Sequence, residues 1–353
     1  MTASPRTAVP TSHPIPAQPP SPAGPAIEPA GPRKNRVELR FDGHWPLILV
    51  WLLLLLIPLV ASNNYVVSLA NAALINLILI ASLNLLMGFG GQISLGHAGF
   101  FGLGAYASGI LNARWGIDAW VGLPAAVIVA SLAALLIGIP ALRLRGLYLS
   151  MATLGFNSIL FVLFNRLVGL TGGPNGLLGV KPFSLFGWPL DNEIRAFPLI
   201  WLLSFLVMLS IRHLLQSRTG RALRAVATNE MGADAVGIDS FRTKLLFFVI
   251  AAAMAGLAGS LYVHTNQYAS PETFDISNSI LLVVMVALGG SGTNWGPVAG
   301  TLILTIVPQL LLDYEDAELM LFGLGMLIVL IVFPAGLAGL PQALVQRFRS
   351  RRP

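Results

Sequence analysis

The sequence has no cysteine in its 353 residues, which excludes a disulfide framework and any thiolate metal site. Charge is almost as scarce. Asp, Glu, Lys and Arg make up 10% of the chain against 55% hydrophobic residues, whereas an average soluble domain carries about 25% charged residues. That composition argues against a water-soluble fold. No G-x-x-x-x-G-K-[ST] phosphate loop is present, so the chain is not expected to hydrolyse ATP itself. Nor does it show an acidic pair, a metal-ligand cluster or a Ser/Lys arrangement with active-site spacing, and an intramembrane enzyme is disfavoured. The net charge of +6 comes from short basic groups scattered between apolar runs, a distribution that reads as membrane topology and not as a nucleic-acid surface.

What the chain does contain is long apolar runs. Crossing the hydrocarbon core takes roughly 20 mostly apolar residues at 1.5 Å each. Candidate segments run from Trp45 to Ala61, Val66 to Met87, Ala98 to Leu111, Ala119 to Ile139 and Leu147 to Asn165. Five more follow: Phe197 to Leu215, Leu245 to Val263, Ser279 to Gly289, Pro297 to Leu312 and Leu319 to Leu340. The third and eighth are short enough to be broken or re-entrant. The fold class expected is therefore all-α, a polytopic membrane helical bundle of about 8 to 10 spans with Gly-broken segments.

The membrane-spanning body occupies residues 45–340, between a Pro-rich arm at 1–44 and a basic tail at 341–353. Ten prolines among Ala, Ser and Thr in residues 1–32 leave the arm too little apolar surface to fold. A secretory signal is not expected, because the first long apolar run starts only after Trp45. Placing the N-terminus in the cytoplasm puts 17 of the 21 Lys and Arg residues inside and leaves Arg114, Arg166, Lys181 and Arg195 outside. Both termini are then cytoplasmic, and the acidic cluster from Asp313 to Glu318 is external.

Two glycine-rich stretches interrupt the apolar pattern. Seven glycines fall between Gly88 and Gly104, together with Gln92, Ser94 and His97. A second stretch runs from Gly289 to Gly300, where Gly290 and Gly296 repeat the spacing of Gly90 and Gly96. Such density disfavours a continuous helix, and unwound backbone at membrane depth survives only where protein or a water-filled cavity satisfies it. Paired interruptions in two halves point to a transporter's central site. The glycines are also explained by close helix packing. Gln92, Ser94 and His97 are better read as pathway residues, because polar groups at this depth are expensive and usually face a cavity or a partner.

Two loops complete the reading. Leu170 to Leu177 contains Gly-Gly-Pro and Asn-Gly, which is a turn on the external side, with Thr171 and Asn175 as candidate solute contacts. The cytoplasmic loop at 216–244 is too polar to span and too patterned to be a linker. Within it, Asn229 is a good N-cap, Glu230 suits the first helical turn and Gly237 suits a left-handed C-terminal position, which predicts a helix of about two turns. Met231, Ala235, Val236 and Ile238 give it apolar contacts. An element this short is marginal alone and fits a role in relaying position between a soluble partner and the spans.

Ala233-x-x-x-Gly237-Ile238 in this loop is similar to the short coupling motif by which bacterial importer permeases dock their ATPases. Leu83 to Gly88, Gly91 to Gly99, Thr153 to Phe156, Leu170 to Gly176 and Ala255 to Gly259 match in order, over about residues 70 to 310. The chain thus resembles permeases of LivH/LivM-type ABC importers, on the LivM side of that family. The resemblance implies an inner-membrane assembly of a second, LivH-like permease chain, two ATPase subunits and an extracytoplasmic solute-binding protein. It also implies branched-chain amino acids as solutes, with no cofactor or metal in this chain and ATP with magnesium held by the ATPases. Arg221, Asn229, Glu230, Ala233 and Gly237 are the implied ATPase-coupling residues.

Permeases for urea, short amides or aromatic acids are similar enough to stand as alternatives. One departure bears on the choice: Asn157 and Ser158 follow the Thr-Leu-x-Phe segment, where amino-acid permeases of this type often carry an acid. An ion-coupled secondary transporter is the competing class, disfavoured because the spans hold almost no Asp, Glu, Lys or Arg.

Overall fold

The computed structural model describes residues 64–311 except Arg145 and Phe186, with isolated positions 51, 52, 54, 55, 58 and 323. The Pro-rich arm, nearly all of the first and last predicted spans, the acidic cluster from Asp313 to Glu318 and the basic tail lie outside the described residues.

Ten helices carry the argument. They are α1 (Asn64–Asn84, continued by a π turn over Leu85–Phe89), α2 (His97–Trp115), α3 (Ala119–Ala141), α4 (Leu147–Arg166) and α5 (Glu193–Gln216). Then come α6 (Arg218–Thr228), α7 (Glu230–Ala235), α8 (Ser240–Asn266), α9 (Ile276–Gly290) and α10 (Gly296–Leu311). Among the described residues α1 with its π turn, α3, α4, α5 and α8 are long and apolar enough to cross a bilayer. The chain is a multi-pass membrane protein built as an all-helical bundle. The β pairing among the described residues is a two-residue hairpin joining Ser184–Leu185 to Trp188–Pro189 and an isolated bridge between Leu177 and Ala269.

The third predicted span is longer than the sequence suggested, extending from Leu111 to Trp115. Asn112 explains the extension. Its Nδ2 donates to the Ile117 carbonyl at 2.8 Å and its Oδ1 accepts from Lys181 N–H at 2.7 Å, which closes the helix end against the loop at Lys181. The eighth segment remains short at 15 residues, about 22 Å at 1.5 Å per residue.

Small residues hold the centre together. Lipid tails are as apolar as a leucine side chain, so membrane helices associate through close contact more than through apolar burial. α8 buries Ala251, Ala252, Ala255, Gly256, Ala258 and Gly259 against α2 and α3. A Cβ on Gly104 of α2 would collide with the Gly256 backbone, and one on Gly256 would meet the Ala130 Cβ of α3 at 2.6 Å. Glycines 99, 102 and 104 therefore belong to a continuous helix, where they serve packing.

Polar side chains fasten α2 to α8, and α8 to the loop at Lys181, at the other end. His264 Nδ1 donates to the Lys181 carbonyl at 2.7 Å, and its Nε2 lies 2.8 Å from Ser108 Oγ, which in turn bonds Ser260 Oγ at 2.8 Å.

Gly104→Val is expected to lower the unfolding free energy of the purified chain by about 1–3 kcal/mol or more through overpacking. Gly155→Ala, where nothing lies within 4 Å of the added Cβ, should be neutral or stabilising by about 0.5–1 kcal/mol. Thermal unfolding in detergent checks both, and equal losses would contradict the packing account.

Candidate solute pathway and coupling surface

Helix α1 ends in its π turn at Phe89, and the chain stays non-helical until His97. Gly91 at φ +65° starts the break in a conformation that side chains disfavour. Hydroxyls on two other helices satisfy the exposed backbone. Ser150 Oγ of α4 donates to the Ile93 carbonyl at 3.0 Å, and Thr153 Oγ1 accepts from Leu95 N–H at 3.0 Å. Ser279 Oγ of α9 accepts from Ala98 N–H at 3.0 Å, while Gln92 N–H reaches back to the Leu86 carbonyl at 3.0 Å.

Gln92, Ser94 and His97 all lie along this break and all are buried. Ser82 Oγ donates to the Leu79 carbonyl at 2.8 Å, so it accepts from His97 Nε2 at 2.7 Å and leaves His97 Nδ1 without a partner. Neither amide atom of Gln92 hydrogen-bonds another protein group. Asn157 joins them from α4: it is fully buried, its Oδ1 faces Gly99, and both of its amide atoms also lack a protein partner. Buried polar groups with unused hydrogen-bonding capacity cost free energy in an apolar interior, so these side chains call for partners that the protein itself does not supply.

The second glycine stretch is folded against the first. It breaks the chain between α9, ending at Gly290, and α10, starting at Gly296, just as the first break runs from Gly90 to Gly96. Asn84 clamps the two. Its Oδ1 accepts from Gly292 N–H at 2.9 Å and its Nδ2 donates to the Thr293 carbonyl at 3.0 Å. A Cβ on Gly88 would collide with the Gly292 backbone, so the breaks meet main chain to main chain. Sequence reading overlooked Asn84 because a single Asn in an apolar helix carries no pattern of its own.

Thr171 and Asn175 lie elsewhere. Ser150 and Thr153 touch the break from the first turns of α4, whereas Thr171 Oγ1 donates into the far end of that helix at Phe164, 2.6 Å away. The 20 residues of α4 separate the two ends by about 30 Å. Thr171 Oγ1 is also bonded to the Leu167 carbonyl and to Gly173 N–H, so its polar capacity is used in the turn. Asn175 is exposed, and its carbonyl accepts from the Tyr268 hydroxyl at 3.3 Å.

The loop at 216–244 forms two helices where the sequence suggested one. Asn229 caps α7 as expected, its Oδ1 accepting from Gly232 N–H at 3.0 Å, and Gly237 sits at φ +85° beyond its end. The helix before it, α6, starts at a Ser217 cap and buries Leu223 and Val226. That i, i+3 apolar pair among arginines was the overlooked signal. Leu223 Cδ1 lies 3.2 Å from a Cβ built on Gly90, and the Ala227 Cβ lies 3.8 Å from one on Gly91, so α6 rests on the start of the first break.

Glu230 pairs with Lys244 of α8 at 2.8 Å, Asp234 Oδ1 accepts from Ser240 N–H at 3.1 Å, and Ala233 is buried. Arg221 donates to the Gln216 carbonyl at 2.9 Å. Met231 and Val236, read as packing residues, are instead 77% and 76% exposed, because Ala233 occupies the inward face of so short a helix.

Residues 65–332 match the family model described as branched-chain amino acid transport system / permease component. The chain belongs to this permease family. Against the high-affinity branched-chain amino acid transport system permease protein LivM of Escherichia coli it is 33% identical, covering 82% of this chain and 74% of that protein. The LivM of Salmonella typhimurium is also 33% identical, over 77% of this chain and 69% of the relative. The LivH permease of Escherichia coli shares 36% identity over a shorter region, 40% of this chain and 47% of LivH. No solved structure matches. The permease family match spans both glycine breaks, α6 and α7.

Asn84→Ala removes both hydrogen bonds of the clamp and should lower stability by about 1–3 kcal/mol. Gln92→Ala breaks no hydrogen bond within the chain and should cost less. Chemical or thermal unfolding of the two variants side by side checks the order, and a reversed order would count against the clamp.

Proposed function

We propose that the chain is the membrane-spanning permease subunit of a bacterial ABC importer that carries branched-chain amino acids across the inner membrane, with its N- and C-termini in the cytoplasm. The observation that carries this reading is a continuous line of contacts. It runs from the exposed Met231 of α7 and Val236 at its C-cap, through α6, to Leu223 on Gly90, next to the buried polar side chains.

In this reading the exposed apolar pair of α7 docks on an ATPase. Asn229, Glu230, Ala233 and Gly237 build and anchor that helix, and Arg221 fixes α6 to the end of α5. ATP-driven movement of α7 then shifts α6 and, through Leu223, the Gly90–Gly96 break. Gln92, Ser94 and His97 lie on the moving part, with Asn157 opposite. Thr171 and Asn175 shape the external turn where a solute-binding protein would deliver its cargo.

The partners are two ATPase subunits that bind ATP and magnesium, a LivH-like second permease chain and an extracytoplasmic binding protein. This chain itself carries no catalytic role and no cofactor. No Asp, Glu, Lys or Arg is fully buried among the described residues, which favours ATP-driven over ion-coupled transport. Asn157, a neutral amide in the polar cluster, supports urea or a short amide as the second reading of the solute.

The test of the solute is uptake of labelled leucine by cells lacking this gene, with and without a restoring copy, challenged by excess valine, urea or acetamide. Restored uptake that valine alone suppresses is the expected result. Unchanged leucine uptake on deletion, or suppression by urea or acetamide, would displace the amino-acid assignment. The test of coupling is Met231→Asp. Because the side chain is exposed, stability should stay within about 0.5 kcal/mol, while ATP-dependent uptake falls by roughly tenfold or more through loss of an interface anchor. Wild-type uptake by this variant would remove α7 from the coupling role.

A further inference from the structure

A second polar site lies at the other end of α1, where it meets the start of α5 and the end of α8. There a cleft of about 130 Å³ is lined in part by Ser68, Asn71, Asn76, Glu193, Thr265 and Asn266. In the orientation set by the Lys and Arg distribution, the first residues of α1 and α5 and the last of α8 all face outside.

The chemistry of the cleft is one-sided. Asn71 is only 1% exposed, and its Nδ2 donates twice, to Glu193 Oε2 at 2.7 Å and to the Glu193 carbonyl at 3.0 Å. Those two acceptors fix which way the amide points, so its Oδ1 is turned away from them. That oxygen is buried and has no hydrogen-bond partner in the protein. Glu193 is partly buried, and no cation pairs with it among the described residues. Asn71 and Glu193 thus line one cavity, the buried Oδ1 of Asn71 is unused, and no cation pairs with the Glu193 carboxylate among the described residues. The last carbonyls of α8, beside Thr265 and Asn266, add partial negative charge.

The α5 N-terminus accounts for an acid at position 193 through the helix dipole, and the Asn71 bond accounts for its orientation. Neither accounts for a buried, unpaired Asn71 Oδ1 beside it. A primary ammonium group does: it carries three donors, enough for the Glu193 carboxylate and the Asn71 oxygen together, and its charge matches the carboxylate. We infer that this cleft is an external site that receives the ammonium end of the solute before it reaches the glycine breaks. The inference deepens the amino-acid reading and rests on it for the identity of the solute, while the preference for a cation stands on the cleft alone.

The absence of native cysteine allows a direct test. A single thiol is introduced as Ser68→Cys in the full chain within its assembled transporter. Its modification from outside is timed by mass spectrometry, using 2-aminoethyl methanethiosulfonate, which carries an ammonium, and the anionic 2-sulfonatoethyl reagent. Rates are normalised to a free thiol. The cleft is expected to favour the ammonium reagent by roughly fivefold or more, the scale of a unit-charge interaction at about 4 Å. Adding Glu193→Gln, which keeps an acceptor for Asn71, should return the ratio to that of the free thiol, and leucine should slow the reaction in the wild-type background.

A ratio that ignores Glu193→Gln, or a thiol that neither reagent reaches, overturns the cleft. A charge preference that needs Glu193 without protection by leucine keeps the cation site and contradicts its role in amino-acid capture. If leucine protects this thiol while the cells of the uptake experiment show no leucine transport by this protein, the site stands and the transport reading fails.

Discussion

Backbone N–H and C=O groups at bilayer depth find no water, so a transmembrane helix can be interrupted only where other protein groups take over its hydrogen bonds. The organisation of this permease follows from that constraint. Breaking the chain between Gly90 and Gly96 requires hydroxyls at Ser150, Thr153 and Ser279, which commits α4 and α9 to the same point. The second break meets the first through Gly88, Gly292 and the Asn84 amide. Neither break is self-sufficient, and the bundle around them is the means of satisfying both.

The same arrangement gives the proposed coupling loop at 216–244 something to act on. A continuous α1 would resist a push at its end as a rigid rod, whereas a break held by side-chain hydroxyls has alternatives to exchange. Leu223 and Ala227 of α6 touch the break where it starts, at Gly90 and Gly91, and α7 is tied to α8 through Glu230 and Lys244. Gln92, whose side-chain amide has no partner in the protein, lies one residue further on. In the proposed mechanism, coupling and solute handling are therefore neighbours in sequence and in space.

Legibility in the sequence tracked how local each feature was. The long spans were readable because about 20 apolar residues in a row have one physical explanation. Asn229, Glu230 and Gly237 announced α7 because caps act within one turn. The break was readable from glycine density, yet the same density hid that Gly99, Gly102 and Gly104 are helical, since only the Gly256 backbone, Phe274 and Asn157 across the interface reveal their purpose. Asn84, Asn157 and the Asn71–Glu193 pair were not assigned these roles from sequence. Each derives its meaning from a partner that lies between 58 and 209 residues away in the chain, as Thr293, Gly99 and Glu193 do. Ser217 and Leu223 were local signals and could have been read as an amphipathic helix.

The central claim is that the Gly90–Gly96 break lines a solute path that moves with the ATPase cycle. Gln92→Cys in the assembled transporter tests it most directly, by the rate at which iodoacetamide, small and uncharged, modifies the thiol without nucleotide, with ATP trapped, and with leucine present. The account predicts a rate that changes between the nucleotide states and falls when leucine is added. A thiol that remains unreactive in every state, or that reacts at one rate throughout, would contradict it.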